Sequence, residues 1–339
     1  MRVTWIDIVR GICIYCVVLS HTLNVPDLYR CIFDPFFLTG FFFLSGIVFK
    51  STSIKQSLFN SITKILWPYI INSIVIMFAR LQWIELLLAN DKMGVLIFFQ
   101  NWGCKIINGT VFWFLACLFI VQIFAGIITK IIKGNKICLY CITALCLSSI
   151  FIISGKPIAP WSINTAIFAL GYFLMGILYR NKLLSINLND KKRLVGLFPF
   201  ASYILVIILM YCINPNHILF DLHTHRLSPE LLFLCLSLVS IPTLCLLAMS
   251  IKRCKLLEII GENSLSIYMY HSYGALLTNT IFSYAYINTL ALYPYLYTIL
   301  VSCTSTLITL GIAIIINKYF PILIGRGNKI NSLRTKFNI

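Results

Sequence analysis

Charge is what this chain of 339 residues has least of. Only 11% of its residues are Asp, Glu, Lys or Arg, against 60% hydrophobic, where a soluble domain is about a quarter charged and about half apolar. That scarcity excludes an ordinary soluble globule. Acids are rarest, 10 Asp and Glu beside 27 Lys and Arg, a formal net charge of +17. The basic residues form no stripe and sit in no nucleic-acid motif, so nucleic acid is not an expected partner. No internal repeat and no low-complexity linker divides the chain, which points to one domain. The 13 cysteines are odd in number and lie mostly in apolar runs, which excludes a disulfide framework and leaves them as small hydrophobes. Cys138 and Cys141 form a C-x-x-C with no partner pair, so no metal is expected. Asp7 and Arg10 interrupt the first apolar run and no small-residue cleavage site follows it, so it reads as a retained span, not a cleaved signal.

What is abundant is the apolar run of about 20 residues, the length that crosses a bilayer as a helix. Ten such runs lie at roughly 6–24, 31–49, 65–80, 111–130, 137–154, 161–179, 195–213, 231–250, 264–287 and 293–316. The stretch 82–100 carries Glu85, Asp91 and Lys92 and reads as interfacial or re-entrant. The basic residues test this division. If sides alternate from a cytoplasmic N-terminus, only Arg30, Arg80, Lys92, Lys105, Lys156 and Arg226 fall outside, and the other 21 of the 27 fall inside. That asymmetry is the one expected of short cytoplasmic loops. The expected fold is therefore an all-α integral membrane protein of about ten transmembrane helices with both termini cytoplasmic, a membrane domain over 1–320 and a basic tail over 321–339.

The first run, "WIDIVRGICIYCVVLSHT", holds polar groups that lipid penalises: Asp7, Arg10 and His21. At roughly 100° per residue, His21 returns to within roughly 40° of Asp7 and roughly 20° of Arg10, so all three share one stripe roughly 21 Å long. Asp7 and Arg10, at i and i+3, are placed to pair. An ion pair that merely orients the helix is the plain alternative, but ionisable groups inside spans face protein or water-filled cavities and mark function. A second histidine stands in "GENSLSIYMYHSY", where Ser264, Tyr268 and His271 share a helix face. In "FFFLSGIVF", Ser45 and Gly46 suit either a close helix contact or the approach of a ligand to the backbone. Trp113, in "GTVFWFLACLF", suits an interfacial belt or stacking on a sugar ring. The loop "NPNHILFDLHTHRLSPE" holds His217, Asp221, His223, His225 and Arg226. Its spacing matches no strong zinc signature, and it reads as a solvated loop that touches a polar substrate.

Taken in order, "WIDIVRGICIYCVVLSHT", "FFFLSGIVFK", "VFWFLACLF" and "GENSLSIYMYH" resemble the motifs of membrane-bound acyltransferase family 3, and the opening is most similar to its fucose 4-O-acetylase-like branch. The resemblance implies acyl transfer from acyl-CoA, usually acetyl-CoA, to a hydroxyl of a sugar or other envelope component. It implies His21 as the essential histidine and Arg10 as an essential basic residue. The family often carries an arginine pair after the second span; here the loop offers only Lys50, Lys55 and Lys64, point charges without the bidentate fork. The expectation is a membrane-embedded O-acyltransferase with Asp7, Arg10 and His21 as the catalytic group. Ser45, Gly46 and the three lysines would lie at the donor, and Trp113, Ser264, Tyr268 and His271 at the acceptor. The expected partners are the lipid bilayer of the cell membrane, acyl-CoA and a glycan or glycolipid, with a homo-oligomer left open. A transporter or flippase of a lipid-linked glycan is the alternative, since it too needs polar groups in its spans.

Overall fold

The computed structural model describes residues 3–22, 25–50, 54–79, 92–109, 111–186, 196–213, 219–284 and 293–326. The described residues of the ten apolar runs are mostly helical. Among the described residues, six helical segments are long and apolar enough to cross a bilayer: Asp27–Val48, Trp113–Ile132, Lys136–Ile153, Pro160–Ser185, Glu230–Ile251 and Pro294–Tyr319. Their apolar side chains point outward as well as inward, as with Val239, Leu307 and Ile315. That pattern suits hydrocarbon, where a helix satisfies all its own backbone groups. The chain is a multi-pass, all-α membrane protein. Of the segment 82–100, residues 92–100 belong to the helix Lys92–Ile107, and the rest lies outside the described residues. The end of the basic tail, 327–339, lies outside them too.

The first helix, Thr4–Ser20, is buried over most of its surface. It packs against Phe37–Val48, Glu230–Ile251, Lys255–Glu262, Ser264–Tyr284 and Pro294–Tyr319. Two glycines set its closest contact. A Cβ on Gly11 would collide with the Leu257 carbonyl, and one on Gly261 with the Asp7 carbonyl. Only glycine lets these backbones touch. A second such contact joins Phe37–Val48 to Ile163–Ser185, where Gly46 meets Gly176 and the Phe173 carbonyl. Polar side chains add cross-helix links: the Tyr203 hydroxyl donates to the Ile32 carbonyl at 2.8 Å, and Asn317 Nδ2 donates to Asn263 Oδ1 at 2.6 Å.

Outside the helices lies a short antiparallel hairpin, Leu219–Asp221 with Arg226–Ser228. His225 pins it. Its Nδ1 lies 2.9 Å from the Lys156 carbonyl and its Nε2 2.7 Å from Thr165 Oγ1. A carbonyl only accepts, so Nδ1 carries the proton and Nε2 accepts from the threonine. Fully buried, His225 is a structural clip that fixes the hairpin tip.

Candidate active site

The first helix ends at Ser20, where the His21 amide bonds back to the Val18 carbonyl and Pro26 soon follows. This leaves the His21 ring projecting from the helix end. It meets His271, the centroids 4.7 Å apart and the planes tilted by 35°. His271 Nδ1 lies 2.7 Å from the Tyr268 carbonyl, so Nδ1 donates and Nε2 stays an acceptor in the neutral ring. The i, i+3 step on Ser264–Tyr284 makes this bond local, which explains why that face presents both Tyr268 and His271.

The hairpin lowers His223 onto Trp113, stacked at 4.6 Å and 22°. Asp221 shapes the tip: Oδ1 accepts from the His223 and Thr224 amides and Oδ2 from the Thr224 hydroxyl at 2.8 Å, an Asx turn. Burial pushes the His223 imidazole below the usual histidine range; His225 adds to this and Asp221 opposes it.

Two cavities open around His21. One, about 490 Å³, is lined by His21, His271, Trp113, His223 and Lys105, the Lys105 ammonium lying 5.3 Å over the Trp102 ring. The other, about 240 Å³, adds Arg30, Asp34 and Asp221. A third, about 230 Å³, lies at the other end of the first helix and is lined by Arg10, Ser45, Glu262, Ser264 and Arg326. Val17 and Leu38 line both the Arg10 cavity and the Asp34 cavity, and Tyr268 lines all three. A cavity mouth lined by Arg10, a neck-like wall shared through Val17, Leu38 and Tyr268, and the cavities lined by His21 thus follow one another along the helix Thr4–Ser20.

The residues expected from sequence divide between these places. His21, His271, Trp113 and Tyr268 share the larger cavity. Arg10, Ser45, Ser264 and Tyr268 share the cavity at the mouth. Asp7 is buried behind Arg10, Oδ1 to Nη1 3.8 Å. Gly46 is a helix contact against Gly176 and is not among the residues lining the mouth. Lys50, Lys55 and Lys64 are solvent-exposed and do not line it either. Of the loop histidines, His223 reaches the cavities, His225 is the clip, and His217 lies outside the described residues.

Five charged lining groups escaped the sequence reading as site residues: Arg30, Asp34, Lys105, Glu262 and Arg326. Asp34 carried a signal, an acid within the apolar run "CIFDPFF", the same cue that marked Asp7. Arg326 carried none, because it follows the last apolar run.

The family model for an acyltransferase domain matches residues 3–318, nearly the whole chain. The chain belongs to acyltransferase family 3. No curated protein and no solved structure matches it.

Proposed function

We propose that this acyltransferase moves an acetyl group from cytoplasmic acetyl-CoA to a hydroxyl of a cell-envelope or exported glycan, as in the fucose 4-O-acetylase-like branch. The observation that supports the reading is the succession of neighbouring cavities from Arg10 to His21, which share Val17, Leu38 and Tyr268 in their walls. The Lys/Arg asymmetry supports ten spans with both ends in the cytoplasm of a cell that keeps the protein in its inner membrane, which puts the Arg10 mouth where acetyl-CoA is made. The donor's phosphates rest at the mouth, its pantetheine arm runs through the neck, and the thioester meets His21.

A hydroxyl is a weak nucleophile near neutral pH and needs a base. His21 takes the proton as the hydroxyl oxygen attacks the acetyl carbonyl. The new C–O bond forms, the C–S bond breaks, and the proton passes from His21 to the departing thiolate. In the covalent variant His21 itself carries the acetyl group between donor and acceptor, which gives ping-pong kinetics. Trp113 and His223 present an aromatic wall to the acceptor.

The test is His21→Ala in membranes that still contain folded protein. Loss of label transfer from [14C]acetyl-CoA to the cell's glycan, with loss of the O-acetyl signals in its NMR spectrum, is expected. Normal transfer by that variant overturns the mechanism, and glycan export without any use of acetyl-CoA supports a flippase instead.

A further inference from the structure

Resting on that reading, we infer that Arg326, supplied by the segment after the last helix, is the second guanidinium of the donor mouth and binds a phosphate of the CoA moiety. The lysines after the second span do not line the mouth, whereas Arg326 lines it together with Arg10.

The segment is built to hold that position. After the helix Pro294–Tyr319, Pro321 starts a 3-10 turn, Pro321–Ile324. Ile324 is 5% exposed and packs among Ile65, Tyr69 and Leu115. Trp67 Nε1 donates to the Ile322 carbonyl at 2.9 Å and Asn72 Nδ2 to the Leu323 carbonyl at 2.7 Å. The other end of Asn72 accepts from the Tyr270 hydroxyl, tying the turn to the helix that carries Tyr268 and His271. Gly325 then turns the chain at φ +69, in the left-handed region, where a Cβ would strike the Thr63 carbonyl. The Arg326 amide closes the turn on the Pro321 carbonyl at 2.9 Å.

The chemistry follows from the charges. Arg10 has Asp7 behind it, and the wall of the mouth sets two guanidiniums against one carboxylate, Glu262. A guanidinium offers the planar fork that matches a phosphate. The apolar neck beyond suits the pantetheine arm, which has no charge. Arg326 therefore recognises the nucleotide end of the donor and takes no part in the transfer itself.

The experiment measures binding of acetyl-CoA and of S-acetylpantetheine, which lacks the nucleotide and its phosphates, to the full chain in nanodiscs. The wild type is expected to prefer acetyl-CoA. Arg326→Ala is expected to lose about ten- to hundredfold in affinity for acetyl-CoA, the worth of a charge-assisted contact, and nothing for S-acetylpantetheine; Arg326→Lys falls between. Unchanged acetyl-CoA binding by Arg326→Ala overturns the inference. So does an equal loss for both donors, which would mark a structural segment. A wild type that binds neither donor removes the acyl-CoA reading itself, a distinct result from a wild type that binds acetyl-CoA indifferently to residue 326.

Discussion

His21 and His271, 250 positions apart in the chain, face each other with ring centroids 4.7 Å apart, and the Tyr268 carbonyl fixes the tautomer of the second ring. Under the proposed function, His271 orients His21 or shares its proton. His271→Ala is expected to lower kcat roughly ten- to hundredfold, the scale of a misplaced catalytic group, with KM for acetyl-CoA little changed. The double variant with His21→Ala should be no worse than His21→Ala alone, because groups that act as a unit are not additive. Two independent losses that multiply would show that His271 serves something other than His21.

The contact of Gly11 with Leu257 and of Gly261 with Asp7 predicts the behaviour of alanine at these sites. Either substitution forces backbone apart beside the first helix and should destabilise the fold by about 2 kcal/mol or more. Gly311 sits on a helix with open space around it, so Gly311→Ala should be neutral or stabilising by up to about 1 kcal/mol. Thermal unfolding of the three variants in one detergent checks the contrast. Equal melting temperatures would mean that the first helix and Lys255–Glu262 do not touch through their backbones.

Sequence periodicity exposed the helices, because it depends only on residues close in the chain. It also placed Tyr268 and His271 on one face. What it lacked was any signal for which faces meet. Gly46 suited a helix contact and a ligand approach equally until Gly176 appeared opposite it. His223 and His225 differ by two positions, yet one stacks on Trp113 and the other is a buried clip, a difference set by the hairpin and by Thr165 from another helix. Arg326 reaches the mouth only because Trp67 and Asn72 capture the turn before it.

Burial lowers the His223 pKa below its unfolded value, with Asp221 opposing and His225 adding to the shift. The unfolded chain therefore binds more protons than the folded one as pH falls through the usual histidine range, and stability declines there. His223 contributes fully above its unfolded pKa and progressively less on acidification. His223→Phe keeps an aromatic face against Trp113 and cannot ionise. Its melting temperature should fall less than that of the wild type between about pH 7.5 and pH 5.5, around the unperturbed histidine value. Parallel declines would assign the acid sensitivity to other groups.

Tyr268 lines the mouth and both His21 cavities, and the rings of Phe114 at 5.5 Å and Phe112 at 6.0 Å hold it in the neck. Under the proposed function, a ring fixed at the junction would limit how much acyl chain fits beyond the thioester, so acetyl should pass and longer chains should be excluded. Tyr268→Leu shortens the side chain while keeping an apolar lining. It is expected to raise the ratio of butyryl-CoA to acetyl-CoA kcat/KM about tenfold, since two further methylenes gain about 1.6 kcal/mol when they have room to be buried. An unchanged ratio would move the constriction to Val17 and Leu38, the two other side chains that line both the mouth and the Asp34 cavity.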